Sequence, residues 1–188
     1  MLTIPIASIA VPLLCILIAI VLSPWFNIVD NALSDLGHAT KSFAASVFNF
    51  GLSLGGALII VTAVVLITRV SKALATVMWL AGYALILVAV FDEVYGMLHF
   101  WVAVAFFISL VLALIIYSII MKSVARKILA LVLLIVAVVS WILHLYYGIP
   151  PGAAVPELIS IFIAILFYMD VVLQSARDKI FVGMSLEL

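Results

Sequence analysis

The apolar positions of this chain fall into six long runs, which polar connections separate. Each run has about the 20 residues that a helix needs to cross a hydrocarbon core about 30 Å thick. The strict alternation of apolar and polar residues that a strand of an outer-membrane barrel shows is missing. The pattern predicts an all-α integral membrane protein with one domain over residues 1–188 and six transmembrane helices in an antiparallel bundle, at residues 4–22, 43–68, 73–90, 98–121, 128–145 and 154–173.

The first connection predicts a further short helix over residues 24–36, lying in the membrane interface. Ser23 followed by Pro24 is typical of a helix start, and Gly37 suits the left-handed residue after a helix end. Apolar residues recur between them at helical spacing, which predicts an amphipathic helix. Asp35 in the last turn opposes the helix dipole. We expect it to cap the start of the second span or to contact a neighbouring cation, amide or histidine.

The basic residues predict the orientation in the membrane. Seven of the eight lie in the second connection, the fourth connection and the C-terminal segment, and Lys41 is the exception. The positive-inside rule therefore predicts that both termini are cytoplasmic. We expect a multi-pass protein of the plasma membrane.

The composition mainly indicates which protein classes and partners are not expected. Hydrophobic residues make up 70% of it and charged residues 9%, which fits a membrane protein and no soluble domain. The formal net charge is zero, so we expect no nucleic-acid partner. Membrane lipids are the expected partners.

Residues with acid–base or metal-binding chemistry gather on the predicted outer side. We predict one outward-facing polar site, built from Asp35, His38, Asp92, His99, His144 and Glu157. Ser34 lies beside Asp35, and Asn49 follows His38 on a polar stripe of the second span. Because Asn49 lies at membrane depth, its amide needs a hydrogen-bond partner.

Gly51 and Gly55 form a pair of small residues one turn apart in the second span. Such pairs allow close approach of another helix. The other helix could belong to the same chain or to a second copy, so an oligomer through this face is a possible outcome.

The polar motifs resemble a known family. They are "LSDLGH" from Leu33 to His38, "FNFGLSLGG" from Phe48 to Gly56, His99 with Ala103 and Phe106, and Gly152 before "ELI". In this order they are similar to the prokaryotic six-span membrane family called domain of unknown function 998, over residues 4–173. That family is distantly similar to eukaryotic proteins of the damage-regulated autophagy modulator type.

The resemblance implies a six-helix fold with the shared motifs on the outer face, and an association with lipids. The family provides no agreed chemistry. Its members usually carry arginine after the last glutamate, whereas Leu158 follows Glu157 here. The neighbouring cation that could pair with the glutamate is therefore missing from this motif.

Three functions fit these observations. The favoured hypothesis is that the polar site binds a lipid headgroup, or organises partners, at the outer leaflet. Because the membrane–water interface tolerates charged residues, some residues of the polar site could serve only as hydrogen-bond partners for one another.

The first alternative is a zinc-dependent lipid hydrolase or transferase. Neutral imidazoles bind zinc and a carboxylate can orient the attacking water. His38, His99 and His144 would be the metal ligands, with Asp92 and Ser34 catalytic. Asp35 and Glu157 would support them.

The second alternative is a proton- or cation-coupled transporter or channel, since ionisable residues at membrane depth are functional candidates. The inner half of the predicted bundle has few polar residues with which to continue a pathway. Asp170 is the one inner acid in a span, and about 100° per residue places it on a different face of the sixth helix from Glu157.

Overall fold

The computed structural model describes the backbone of residues 2–184 and the side chains of residues 2–176. In this part of the chain six long α-helices follow one another: α1 (Thr3–Val21), α2 (Ala45–Val65), α3 (Lys72–Val90), α4 (Met97–Ile120), α5 (Val124–Tyr147) and α6 (Ala154–Met184). All six are long and apolar enough to cross a membrane. A helix bonds its own backbone groups, which hydrocarbon requires. The predicted all-α, six-span membrane fold is confirmed.

The predicted spans agree with these helices to within a few residues, except at two ends. α5 begins at Val124 instead of residue 128, because Arg126 and Lys127 belong to its first turn. Long basic side chains can extend from a helix end to the interface, so they do not end the helix. α6 continues past residue 173 to Met184.

The first connection differs from the predicted α-helix at residues 24–36. Its residues before 33 form turns, and its helical part is a 3-10 helix at Leu33–Gly37. Asn27 Oδ1 accepts a hydrogen bond from the Val29 amide, and Asn31 Oδ1 accepts one from the Asn27 amide, both at 2.9 Å. Side chains that bond nearby amides compete with a helix. These asparagines explain why turns replace the predicted helix.

Helices α1 and α2 pack closely because glycines lie at their contact. A Cβ atom at Gly51 would lie 2.3 Å from Cys15 Cβ, and one at Gly55 would lie 2.8 Å from Pro12 Cγ. Gly51 and Gly55 thus pack against α1 of the same chain. This face is not free for the oligomer that we considered, and an oligomer through other surfaces stays a hypothesis.

Helices α2 and α3 also approach closely, on the other side of α2. A Cβ atom at Gly56 would lie 2.5 Å from the carbonyl oxygen of Gly82. Helix α5 is the opposite case, since Ala130 and Ala137 are its buried residues in the described structure. The bundle is therefore tightly packed through α1, α2 and α3, and α5 lies at its edge.

The first and fifth connections are joined through their backbones. The Gly152 amide donates to the Val29 carbonyl at 2.8 Å, and the Ala154 amide donates to the Asn31 carbonyl at 3.0 Å. A Cβ atom at Gly152 would lie 2.3 Å from backbone atoms of Asn31. Glycine at this position allows the two connections to meet.

Candidate functional site

A cavity of about 600 Å³ lies between α4, α5 and α6, and we call it the α4–α5–α6 cavity. The polar side chains that line it are Ser34, Glu93, His99, Trp141, His144, Glu157 and Ser160. Its deep apolar lining includes Leu110, Val111, Leu114, Leu134 and Ile163. At 1.5 Å per residue, His99 and Leu114 are about 22 Å apart along α4. This exceeds the half-thickness of a hydrocarbon core, about 15 Å.

The cavity opens on the surface that faces lipid. Phe100, Ile108 and Ile142 line it, and their side chains are also 46%, 53% and 51% exposed. Apolar surface of this kind is stable in a membrane, where lipid tails cover it. An amphiphile in the bilayer can therefore reach the cavity from the side.

The polar end of the cavity coincides with what we call the acidic end of the bundle, which carries Asp30, Asp35, Asp92, Glu93 and Glu157. Ser34 Oγ donates to Glu93 Oε1 at 2.6 Å, and the Leu33 amide donates to Glu157 Oε2 at 2.7 Å. The 3-10 helix at Leu33–Gly37 is thereby held between the third connection and α6. It forms one wall of the cavity mouth through Ser34.

Glu93 lies in the third connection, where its surroundings disfavour the charged carboxylate. Burial raises its pKa to about 7, and the neighbouring Asp35 carboxyl acts in the same direction. The hydrogen bond from Ser34 and the charge of Lys41 oppose this shift. Glu93 therefore titrates near neutral pH.

The three histidines do not form one group. His99 Nδ1 bonds to the Phe91 carbonyl at 2.7 Å, and His144 Nδ1 bonds to the Pro150 carbonyl at 2.9 Å. Both rings line the α4–α5–α6 cavity, whereas His38 lies outside its lining. Among the described residues, no group of three or more His, Cys, Asp or Glu side chains could hold a metal ion. The zinc hypothesis therefore stays a prediction without a geometric site to support it.

Three other predicted site residues support the connections instead of lining the cavity. Asp35 Oδ2 accepts a hydrogen bond at 2.9 Å from the amide of the residue that precedes its own 3-10 helix. Of the two alternatives expected for Asp35, the cap on the second span is therefore wrong. Asp92 Oδ1 accepts the Val94 amide at 2.8 Å. Asn49 Nδ2 donates to the Gly37 carbonyl at 2.9 Å, which provides the partner that we expected for it.

The structure thus brings four predicted residues to the cavity: Ser34, His99, His144 and Glu157. The site also includes three residues that were not predicted from the sequence: Glu93, Trp141 and Ser160. Asp92 precedes the short 3-10 helix at Glu93–Tyr95, and aspartate is a preferred cap at such a position. That signal could have assigned Asp92 to the cap and left Glu93 for the cavity.

The opposite end of the bundle, which we call the basic end, carries Arg69, Lys72, Lys122, Arg126 and Lys127. Asp170 Oδ2 accepts hydrogen bonds there from Tyr117, Arg126 and Gln174 at 2.7, 3.2 and 2.5 Å. Asp170 thus provides a hydrogen-bond partner for the hydroxyl of Tyr117, which is the buried residue of this cluster. Asp170 belongs to this cluster and does not extend the polar end of the cavity.

The fold and the site define a class of protein: a six-span membrane protein with an amphipathic cavity that opens to lipid. The chain belongs to the family described as "Protein of unknown function (DUF998)", whose model matches residues 6–173. The matched region includes parts of α1 and α6 and every polar residue that lines the cavity. The comparisons with curated proteins and with solved structures gave no match. The distant similarity to the autophagy modulators stays a prediction.

Proposed function

We propose that the protein binds a membrane lipid, or a similar amphiphile, in the α4–α5–α6 cavity. The headgroup would lie among the polar side chains that line the cavity, and a hydrocarbon chain would lie along the apolar lining. The observation that carries this proposal is the change from polar to apolar lining along a cavity that opens to the bilayer. Its volume of about 600 Å³ lies in the range of about 300 to 1,000 Å³ typical of ligand pockets.

The same proposal assigns the headgroup to the outer leaflet of the plasma membrane. The basic end carries Arg69, Lys72, Lys122, Arg126 and Lys127, which the positive-inside rule assigns to the cytoplasm. The acidic end would then face outwards, with both termini inside. A lipid of the outer leaflet would meet the cavity with its headgroup at the correct depth.

Binding is favoured over the two alternatives by the positions of the polar groups. A zinc enzyme needs ligands that converge, and His38 is not among the residues that line the cavity with His99 and His144. A transporter needs polar groups that continue along the bundle. The deep lining of the cavity is apolar, and Asp170 is bonded within its own cluster.

The experiment compares phenylalanine substitutions at two alanines of α4. Ala103 lines the cavity, whereas Ala105 is exposed on the helix surface and lies outside the lining. Ala103→Phe should fill the cavity mouth, while Ala105→Phe should only add surface that faces lipid. Lipid retained by purified protein is measured by native mass spectrometry.

About one tightly held lipid per chain is expected in the wild type and in Ala105→Phe, and its loss is expected in Ala103→Phe, because one occupied cavity holds one ligand. Equal retention by all three proteins would contradict the proposal. Size-exclusion profiles confirm that both variants are folded before the comparison is made.

A further inference from the structure

The hydroxyl and indole donors that line the α4–α5–α6 cavity already have partners in the protein. Ser34 Oγ donates to Glu93, and Ser160 Oγ donates to the Pro156 carbonyl at 2.9 Å. Trp141 Nε1 donates to Ser160 Oγ at 3.0 Å. Each of these groups has one such proton to donate. None of the three is left to donate to a ligand.

The two imidazole rings that line the cavity, in their neutral form, also have no N–H group left to donate to a ligand. A backbone carbonyl can only accept, so His99 Nδ1 and His144 Nδ1 carry the protons in their bonds to Phe91 and Pro150. In the neutral rings, Nε2 is then an acceptor. His99 is 9% exposed, and its Nε2 has no hydrogen-bond partner among the described residues. It is an acceptor without a protein partner on a ring that lines the cavity.

The carboxylates add further acceptors at the same end. Glu93 and Glu157 line the cavity, and Glu157 uses one carboxylate oxygen in its hydrogen bond to the Leu33 amide. Glu93 accepts from Ser34, and its carboxyl group also lies within hydrogen-bond reach of the Asp35 carboxyl. Asp35 lies close enough to affect both electrostatically. Lys41 acts on Glu93, but it is exposed and does not belong to the lining. The described lining contains neither lysine nor arginine.

We infer that the polar end of the cavity selects an amphiphile whose headgroup carries a hydrogen-bond-donating cation, a primary ammonium group. This inference rests on the proposed lipid binding and names the chemistry of the ligand. An ammonium has three N–H donors and no acceptor, so it suits a cavity end whose side chains offer acceptors and negative charge. Hydrogen bonds in which the donor or the acceptor is charged are the stronger ones, and an ammonium donor is charged whatever its partner is. A carboxylate or phosphate at the same point would find acceptors and negative charge.

The test uses Trp141 as a reporter inside the cavity. Trp25, Trp79 and Trp101 are 48%, 40% and 60% exposed, so they can be replaced by phenylalanine at the surface that faces lipid. The protein is placed in nanodiscs of phosphatidylcholine with brominated chains, which quench tryptophan on contact and whose choline has no N–H donor. A second protein that keeps only Trp101 reports on bulk lipid.

Three amphiphiles with the same tail are then added: tetradecylamine, tetradecanol and myristate. We expect tetradecylamine to restore Trp141 fluorescence at a mole fraction about tenfold lower than tetradecanol, because its headgroup forms charge-assisted bonds. Myristate should be the weakest of the three. Trp101 should respond equally to all three.

Two substitutions separate the cavity from general surface charge. Glu157→Gln keeps an oxygen that accepts the Leu33 amide but removes the charge, and it should reduce the preference for amine over alcohol to about threefold or less. Asp30→Asn removes an exposed acidic charge of the first connection and should preserve the preference.

The outcomes distinguish the inference from the function on which it rests. Equal displacement by amine and alcohol, or strongest displacement by myristate, would overturn the ammonium inference and leave amphiphile binding intact. Loss of the preference in Asp30→Asn but not in Glu157→Gln would overturn it as well, since surface attraction would then explain it. Failure of all three amphiphiles to change Trp141 fluorescence would overturn both.

Discussion

The helices pack closely in one half of the bundle, whereas in the other half they enclose a cavity. Through α1, α2 and α3, glycines remove the side chains that would separate the helices, and a backbone oxygen of α3 lies only 2.5 Å from the position that a Cβ of Gly56 would take. Between α4, α5 and α6 the helices enclose about 600 Å³. Small residues therefore close one half, while larger side chains around a gap keep the other half open.

This difference separates stability from binding. Without a hydrophobic driving force between helices in lipid, close packing is a main source of attraction. The α1–α2–α3 half provides that packing. The cavity half can then keep an open space, and α5 needs few buried residues because lipid or a ligand can cover its apolar surface.

The largest expected effect comes from adding a side chain to the packed half. Gly56→Leu forces a Cβ to within 2.5 Å of the Gly82 oxygen, so the α2–α3 contact must separate. We expect a loss above about 3 kcal/mol, because overpacking with methylenes alone costs about 1 to 3 kcal/mol. The measurement is the unfolding midpoint in detergent. Ala103→Leu, which adds a similar volume beside the cavity, is the matched variant and should leave the midpoint nearly unchanged.

A smaller effect is expected where the connections of the acidic end meet. Gly152→Ala places a methyl group 2.3 Å from the Asn31 backbone and should push the fifth connection away from the first. The bond between Glu157 and the Leu33 amide is then strained, so we expect a cost of about 1 to 3 kcal/mol together with weaker lipid retention. Thermal unfolding and native mass spectrometry measure the two effects.

Pro151→Ala is the control for Gly152→Ala, because Pro151 is exposed in the same connection. It should change stability by less than about 1 kcal/mol. Unchanged lipid retention in a destabilised Gly152→Ala protein would show that the cavity mouth does not depend on this contact.

The helices could be predicted from sequence because hydrophobic length alone determines a span. The start of α5 was predicted less accurately, because the helix includes basic residues that lie before the apolar run. The first connection was predicted wrongly because its pattern fits a helix, while Asn27 and Asn31 bond locally and form turns. Periodicity does not measure that competition.

The site was only partly predictable. Their expected position on the same side of the membrane was enough to group four residues that do line the cavity: Ser34, His99, His144 and Glu157. That position alone could not show which of the other polar side chains line the cavity. Asp92 and Glu93 are neighbours in sequence, and the short 3-10 turn assigns one to a cap and the other to the cavity. The cavity itself arises from how α5 lies against α4 and α6, which a single sequence does not encode as a local pattern.

The smallest expected effect is a pH dependence that belongs to the cavity half alone. Burial raises the pKa of Glu93 to about 7 from an ordinary value of 4.5. The folded protein therefore binds this proton more tightly than the unfolded chain does, and stability should fall as pH rises from about 4.5 to 7 and then level off. Glu93→Gln should remove this component of the pH dependence.

The expected size is modest because Glu93 is partly exposed and solvent screens its charge. We expect the change in Tm between pH 5 and pH 8 to be about 2 to 4 °C smaller in Glu93→Gln than in wild type, the shift that about 1 kcal/mol produces in a chain of this length. Asp30→Asn is the control, and its Tm should follow the wild-type profile. An unchanged profile in Glu93→Gln would mean that the acidic end is as well solvated as open surface, which would remove the electrostatic contrast between the two halves.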